Sequence, residues 1–115
     1  MTFESVLGRF LGAPGAIGAA FLDPQGQTIA LAGAAESMEM LAAYQSVWIA
    51  EMARASRRAG LGELADLELD FGGRRVLSAE VKDGYFVLVL LEADGLAAPV
   101  RARLDEARRE LAAEI

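Results

Sequence analysis

The carboxylates of Glu63, Asp66, Glu68 and Asp70 are grouped closely enough to suggest a hard-cation site for Mg²⁺ or Ca²⁺. Their spacing does not match a calcium loop, which needs ligands at alternate positions around a central glycine. They read as solvated surface charge, and no metal is expected. Other sources of acid–base chemistry are few. The sequence contains no His and no Cys. That removes His-based triads, thiol nucleophiles, disulfides and zinc sites built on imidazole or thiolate. Lys82 is the only lysine and falls at a hairpin turn, where water would surround it. The glycine-rich stretch 12–18 invites comparison with a phosphate loop. It lacks the closing Gly-Lys-Ser/Thr, and a strand rather than a helix follows it. No catalytic or cofactor-binding residue is assigned, and an enzyme acting alone is not expected.

The charge balance narrows the partners. Seventeen acidic residues against 11 basic ones give a net charge of -6. An acidic surface is a poor match for nucleic acid or an anionic membrane. The 115 residues are 54% hydrophobic and 24% charged, the balance of one globular domain. The uncharged run from Phe10 to Leu22 contains Pro14 and three glycines. It falls short of the roughly 20 apolar residues a membrane span needs. With no basic leader, the expectation is a soluble cytoplasmic protein.

The elements that would position any site follow from periodicity and turn chemistry. Thr2 can cap a short helix over Phe3–Leu11, with Phe3, Val6, Leu7 and Phe10 on one face. Ala16–Leu22 and Thr28–Ala32 read as strands joined by Asp23-Pro24-Gln25-Gly26, the pattern of a type I turn. A long helix is expected over Met38–Ala59, capped by Ser37 and stopped at Gly60. Leu67–Phe71 alternates apolar and charged residues, and Gly72-Gly73 forms a hairpin loop to Val76–Val81. Asp83-Gly84 turns the chain into Tyr85–Leu91, whose unbroken apolar run marks a central strand covered on both faces. The loops set Asp70 opposite Arg75, Leu69 opposite Val76, Val76 opposite Leu91 and Leu77 opposite Leu90. Leu96–Ile115 is a last helix with an inner stripe of Val100, Leu104, Ala107 and Leu111. Arg101, Asp105 and Arg109 form a ladder on it. The order α-β-β-α-β-β-β-α predicts an α+β fold, a five-stranded antiparallel sheet between helices in a three-layer sandwich.

The segment Gly15–Gly26, the helix end Arg57-Arg58-Ala59-Gly60-Leu61-Gly62-Glu63-Leu64 and the turn Asp83-Gly84-Tyr85 running into Val87–Leu91 carry a family likeness. In this order they resemble the Roadblock-type dynein light chain family and its MglB-like members, over nearly the whole chain. The resemblance implies a single domain over 1–115 with a roadblock/profilin-like fold. It implies a homodimeric, non-enzymatic scaffold or adaptor. The third strands of two protomers would pair into one sheet, with the long helices side by side. Members of that family bind a small Ras-like GTPase or a motor or polarity complex subunit, and MglB-like proteins stimulate GTP hydrolysis. No active-site residue carries over.

The long helix divides by angle at 100° per residue. Met38, Ala42, Ile49, Met52 and Ala53 should face the sheet. Leu41, Tyr44, Trp48, Ala55 and Ala59 lie on a flank about 80° away. Leu41, Tyr44 and Trp48, with Leu67, Leu69 and Phe71 of the edge strand, are the expected dimer interface. Trp is an effective interface anchor, and an apolar sheet edge needs a cover. The plainer reading makes the flank the margin of a wide core stripe and the nearby acids guards against edge pairing. Met40, Val47, Glu51, Arg54 and Arg58 lie near the far side and are the candidates for partner binding. Arg54 or Arg58 could also act as an inserted arginine on a GTPase. Scattered exposed apolar residues are the plainer reading there. The alternative function is a PAS-like sensory or ligand-binding domain, whose pocket would draw on a thin polar inventory of Thr28, Gln45 and Ser78.

Overall fold

A computed structural model describes residues 2–115. The elements run α1 (Phe3–Gly8), a 3₁₀ turn (Arg9–Gly12), β1 (Ala16–Leu22), β2 (Thr28–Gly33), α2 (Ala35–Arg58), β3 (Asp66–Asp70), β4 (Arg74–Lys82), β5 (Tyr85–Glu92) and α3 (Ala97–Ala112). The five strands form one antiparallel sheet in the order β2-β1-β5-β4-β3. The apolar strand β5 is central, as its composition requires, while β2 and β3 are the edges.

Alternation along the strands sorts side chains onto two faces. Ala19, Phe21, Leu77, Ala79, Val87, Val89 and Leu91 meet Val6, Leu7 and Phe10 on one side, together with the Val100–Leu111 stripe of α3. Ala20, Leu22, Val76, Leu88 and Leu90 face α2 on the other, where Met38 and Ala42 cover them. Burying each of the larger side chains stabilises the fold by about 1.5–3 kcal/mol. α1 opens with a capping box. The Ser5 N–H donates to Thr2 Oγ1 at 3.0 Å, and the Thr2 N–H donates to Ser5 Oγ at 3.1 Å. The helical run that the sequence places over Phe3–Leu11 tightens into 3₁₀ geometry after Gly8. The Gly26 N–H donates to the Asp23 carbonyl at 2.9 Å, closing the expected β1–β2 turn.

The helix start differs from the sequence reading. α2 begins at Ala35, with Ala34 as a cap that has no side-chain hydrogen bond, so Ser37 lies inside the first turn. Tertiary geometry sets this start. Gly33 adopts φ 82°, and a Cβ there would lie 2.4 Å from the Ile17 carbonyl oxygen. That close approach lets the Ala34 N–H donate to the same oxygen at 3.0 Å. The end follows expectation. Gly60 has φ 73°, and the Leu61 N–H returns to the Ser56 carbonyl at 2.9 Å.

The first meander hairpin has the expected register, with Asp70 opposite Arg75 and Leu69 opposite Val76. Phe71 lies just beyond β3, and its N–H donates to the Arg74 carbonyl at 3.0 Å to close the Gly72-Gly73 turn. The second hairpin is one residue out of the expected register. Val76 faces Leu90 and Leu77 faces Val89, because the ladder shifts between Glu80 and Lys82. That irregularity leaves Val81 as the extra residue, as in a bulge. Leu91 therefore packs on the α3 face, and the row facing α2 is Leu69, Val76 and Leu90.

Candidate interaction surface

α2 meets the sheet through its N-terminal half. Met38 sits on Gly18 of β1, where a Cβ would come within 2.7 Å of its sulfur, so the glycine makes room for the helix. Two turns on, the Gln45 amide nitrogen donates to the Ser78 hydroxyl of β4, with both side chains fully buried. Gln45 holds the position on this face that an apolar residue would fill in a uniform stripe. Its Oε1 has no hydrogen-bond partner among the described residues. The angular reading fails beyond this point. Met52, expected against the sheet, is 45% exposed, and Ile49 and Ala53 are only half-buried. The C-terminal half of α2 stands off the strands and leaves a groove.

That groove encloses about 570 Å³ between α2, the β1–β2 turn, the β4–β5 hairpin and the segment after α2. Leu22, Phe86 and Leu64 supply apolar lining, while Gln25, Glu80 and Glu63 add polar groups. The β1–β2 turn abuts the helix so closely that a Cβ on Gly26 would lie 2.3 Å from the Cβ of Ser46. Arg57 pairs with Glu63 at 3.2 Å on its rim. The groove is partly open to solvent.

The residues expected at a partner surface separate here. Val47, Glu51 and Arg54 line the groove, and Arg54 is ion-paired with Glu51. Met40 and Arg58 are exposed but lie outside it, towards the two ends of α2. No local signal marks the groove, because its lining comes from separate stretches of the chain.

The residues expected at a dimer interface are drawn to one margin of the molecule. Trp48 stacks on Tyr44 at 6.5 Å between ring centroids and meets Phe71 at 5.7 Å. Trp48 is half-buried, whereas Tyr44 and Phe71 are 60% and 57% exposed. Leu67 and Leu69 are half-buried on the α2 side of β3, and Leu41 packs against the core beneath α2. β3 hydrogen-bonds to β4 alone within the sheet, so its outer edge is free beside this aromatic group.

The acidic residues of β3 point the other way. Arg101 of α3 reaches Asp66 at 3.2 Å and Glu68 at 3.7 Å. The ladder expected along α3 gives way to this contact, and Asp105 lies 3.8 Å from Arg108. Among the described residues, no group of three or more Asp or Glu side chains gathers in a metal-holding arrangement. Among them, too, no helix is long and apolar enough to cross a membrane.

No protein-family profile and no curated protein sequence matches the chain. Solved structures do match. A Roadblock/LC7 domain from Streptomyces avermitilis superposes with a TM-score of 0.88 at 16% identity, covering 96% of this chain and 95% of that one. Myxococcus xanthus MglB superposes at 0.84 with 21% identity, covering 95% and 90%. A structure described as MglB with tetrameric arrangement gives 0.84 at 16% identity, covering 96% and 85%. The fold is that of Roadblock/LC7 domains, as the sequence resemblance implies.

Proposed function

We propose that this chain is a homodimeric scaffold without a catalytic centre of its own, which binds a small Ras-like GTPase and regulates its GTP hydrolysis. The observation that carries the reading is the aromatic group of half-buried Trp48 with exposed Tyr44 and Phe71 beside the unpaired edge of β3. An apolar patch next to free backbone donors and acceptors is a liability unless something covers it. A second copy meets both needs by continuing the sheet and packing α2 against α2 about a two-fold axis. Leu41, Leu67 and Leu69 complete that contact. The likeness in fold to MglB supports the GTPase as partner. On the dimer, Val47, Glu51 and Arg54 in the groove and Met40 and Arg58 outside it form the surface of α2 that the GTPase meets. Any effect on hydrolysis comes from reshaping the GTPase's own switch loops or from an inserted arginine such as Arg54 or Arg58. Sedimentation of the pure chain at micromolar concentration tests the dimer, and a monomeric mass contradicts it. Copurification from the native host with mass spectrometry tests the partner, and recovery of no GTPase contradicts that half.

The groove favours a second reading, a small ligand-binding domain, since its volume falls within the ~300–1,000 Å³ of ligand pockets. Its charged, open rim suits a protein segment better than an enclosed apolar ligand. A rise in melting temperature with a metabolite from a screening panel would favour the ligand.

A further inference from the structure

We infer that Arg101 is the counter-charge that allows β3 to pair with a second copy of itself. The inference rests on the dimer reading above and identifies the residue on which the strength of that contact depends. Leu67 and Leu69 lie on the α2 face of β3. Asp66, Glu68 and Asp70 lie on the opposite face, in ladder with Ala79, Leu77 and Arg75. A two-fold axis normal to the sheet keeps each face on its own side. Any antiparallel self-pairing of β3 therefore sets leucine beside leucine and acid beside acid. Centred on Glu68, it opposes Glu68 to its own copy and Asp66 to Asp70. Centred on Leu67 or Leu69, it opposes Asp66 to Glu68, or Glu68 to Asp70. Like charges placed directly opposite destabilise a strand pair.

Two guanidiniums stand on that face. Arg75 is the ladder partner of Asp70. Arg101 arrives from α3, 3.2 Å from Asp66 and 3.7 Å from Glu68, and holds both at once. In a lone chain this contact is exposed, with side-chain accessibilities of 39–41%, and an exposed ion pair adds little to folding. The packing of α3 does not need it, since Val100, Leu104, Ala107 and Leu111 make the buried stripe. Its effect arises when a second acidic row is brought alongside and solvent is drawn out of the seam.

Sedimentation velocity on the full chain tests this, comparing wild type with Arg101→Gln and Arg101→Lys from about 20 mM to about 500 mM NaCl. Arg101→Gln is expected to weaken the dimer about tenfold at low salt and to recover as salt screens the acids. Arg101→Lys should stay near wild type, and at concentrations low enough for every chain to be monomeric all three should melt at the same temperature. Wild-type affinity for Arg101→Gln at low salt overturns the inference. A wild-type chain that stays monomeric overturns the dimer reading itself, a separate result. If Arg101→Gln folds poorly, Asp66→Asn/Glu68→Gln replaces it. Adding Arg101→Gln to that background should cost no affinity, and a tenfold loss there overturns the inference.

Discussion

The rings of Trp48 and Phe71 lie 5.7 Å apart with their planes 37° from each other, which ties the middle of α2 to the far end of the edge strand. A residue on the long helix and one beside a hairpin loop thus form one surface. Phe71→Ala should leave the fold nearly intact, costing under about 1 kcal/mol, because more than half of the ring is in solvent. Self-association should weaken by about tenfold or more, as expected of an aromatic anchor. Trp48 fluorescence over a dilution series would report the dissociation, and an unchanged dilution curve would remove Phe71 from the interface.

The proposed partner surface can be tested in two pieces, because only part of it lines the groove. Val47→Asp with Arg54→Glu alters the groove lining, and Met40→Ala with Arg58→Ala alters the residues outside it. Both pairs are exposed, so melting temperature should hold within a few degrees. Affinity for the GTPase, read by calorimetry or pull-down, should fall about tenfold or more for at least one pair. Unchanged binding in both would remove α2 as the docking surface.

Gln45 and Ser78 form a buried polar pair in an otherwise apolar layer. Ser78→Ala strands the Gln45 amide and should cost about 1–3 kcal/mol. Gln45→Leu with Ser78→Ala removes both polar groups and should recover most of that loss. Urea unfolding of the two single variants and the double variant gives the coupling. Additive losses would show that the two side chains do not depend on each other.

Two glycines with left-handed backbones separate strain from steric conflict. Gly60→Ala meets nothing within 4 Å and should cost only the conformational strain, about 1 kcal/mol. Gly33→Ala adds a Cβ 2.4 Å from the Ile17 oxygen and should cost more, roughly 2–4 kcal/mol. Chemical denaturation of both variants checks the ranking, and equal losses would contradict the close approach at Gly33.

Much of this architecture was legible because local chemistry and tertiary demands agree. Asp23-Pro24-Gln25-Gly26 dictates its own turn, and Tyr85–Leu91 is apolar on both faces because helices cover both. The misreadings fall where distant contacts decide. Val81 becomes the extra residue where the β4–β5 ladder shifts, and loop length alone does not disclose that slip. Ser37 is a good cap by composition, yet the Ile17 carbonyl opposite Ala34 starts the helix earlier. Met52 has the right angle to face the sheet, but α2 has left the sheet by then. Tyr44 and Trp48 could be named as a flank of α2 and Phe71 as part of an edge strand, but the Trp48–Phe71 contact that joins them could not be read from the sequence. Neither could the role of Arg101, since its acids lie on another element, with Asp66 35 positions away.

The sheet has two outer margins, and they are unlike. β3 ends one side with alternating leucines and a free edge. β2 ends the other, where α1 lies against it, its ladder with β1 slips between Phe21 and Leu22, and Gly33 turns the backbone away. A ribbon with identical margins would keep adding subunits into a filament. On the proposed reading, joining at β3 would use up the more receptive border and leave β2 at both extremities. Growth by sheet extension would then end at a pair.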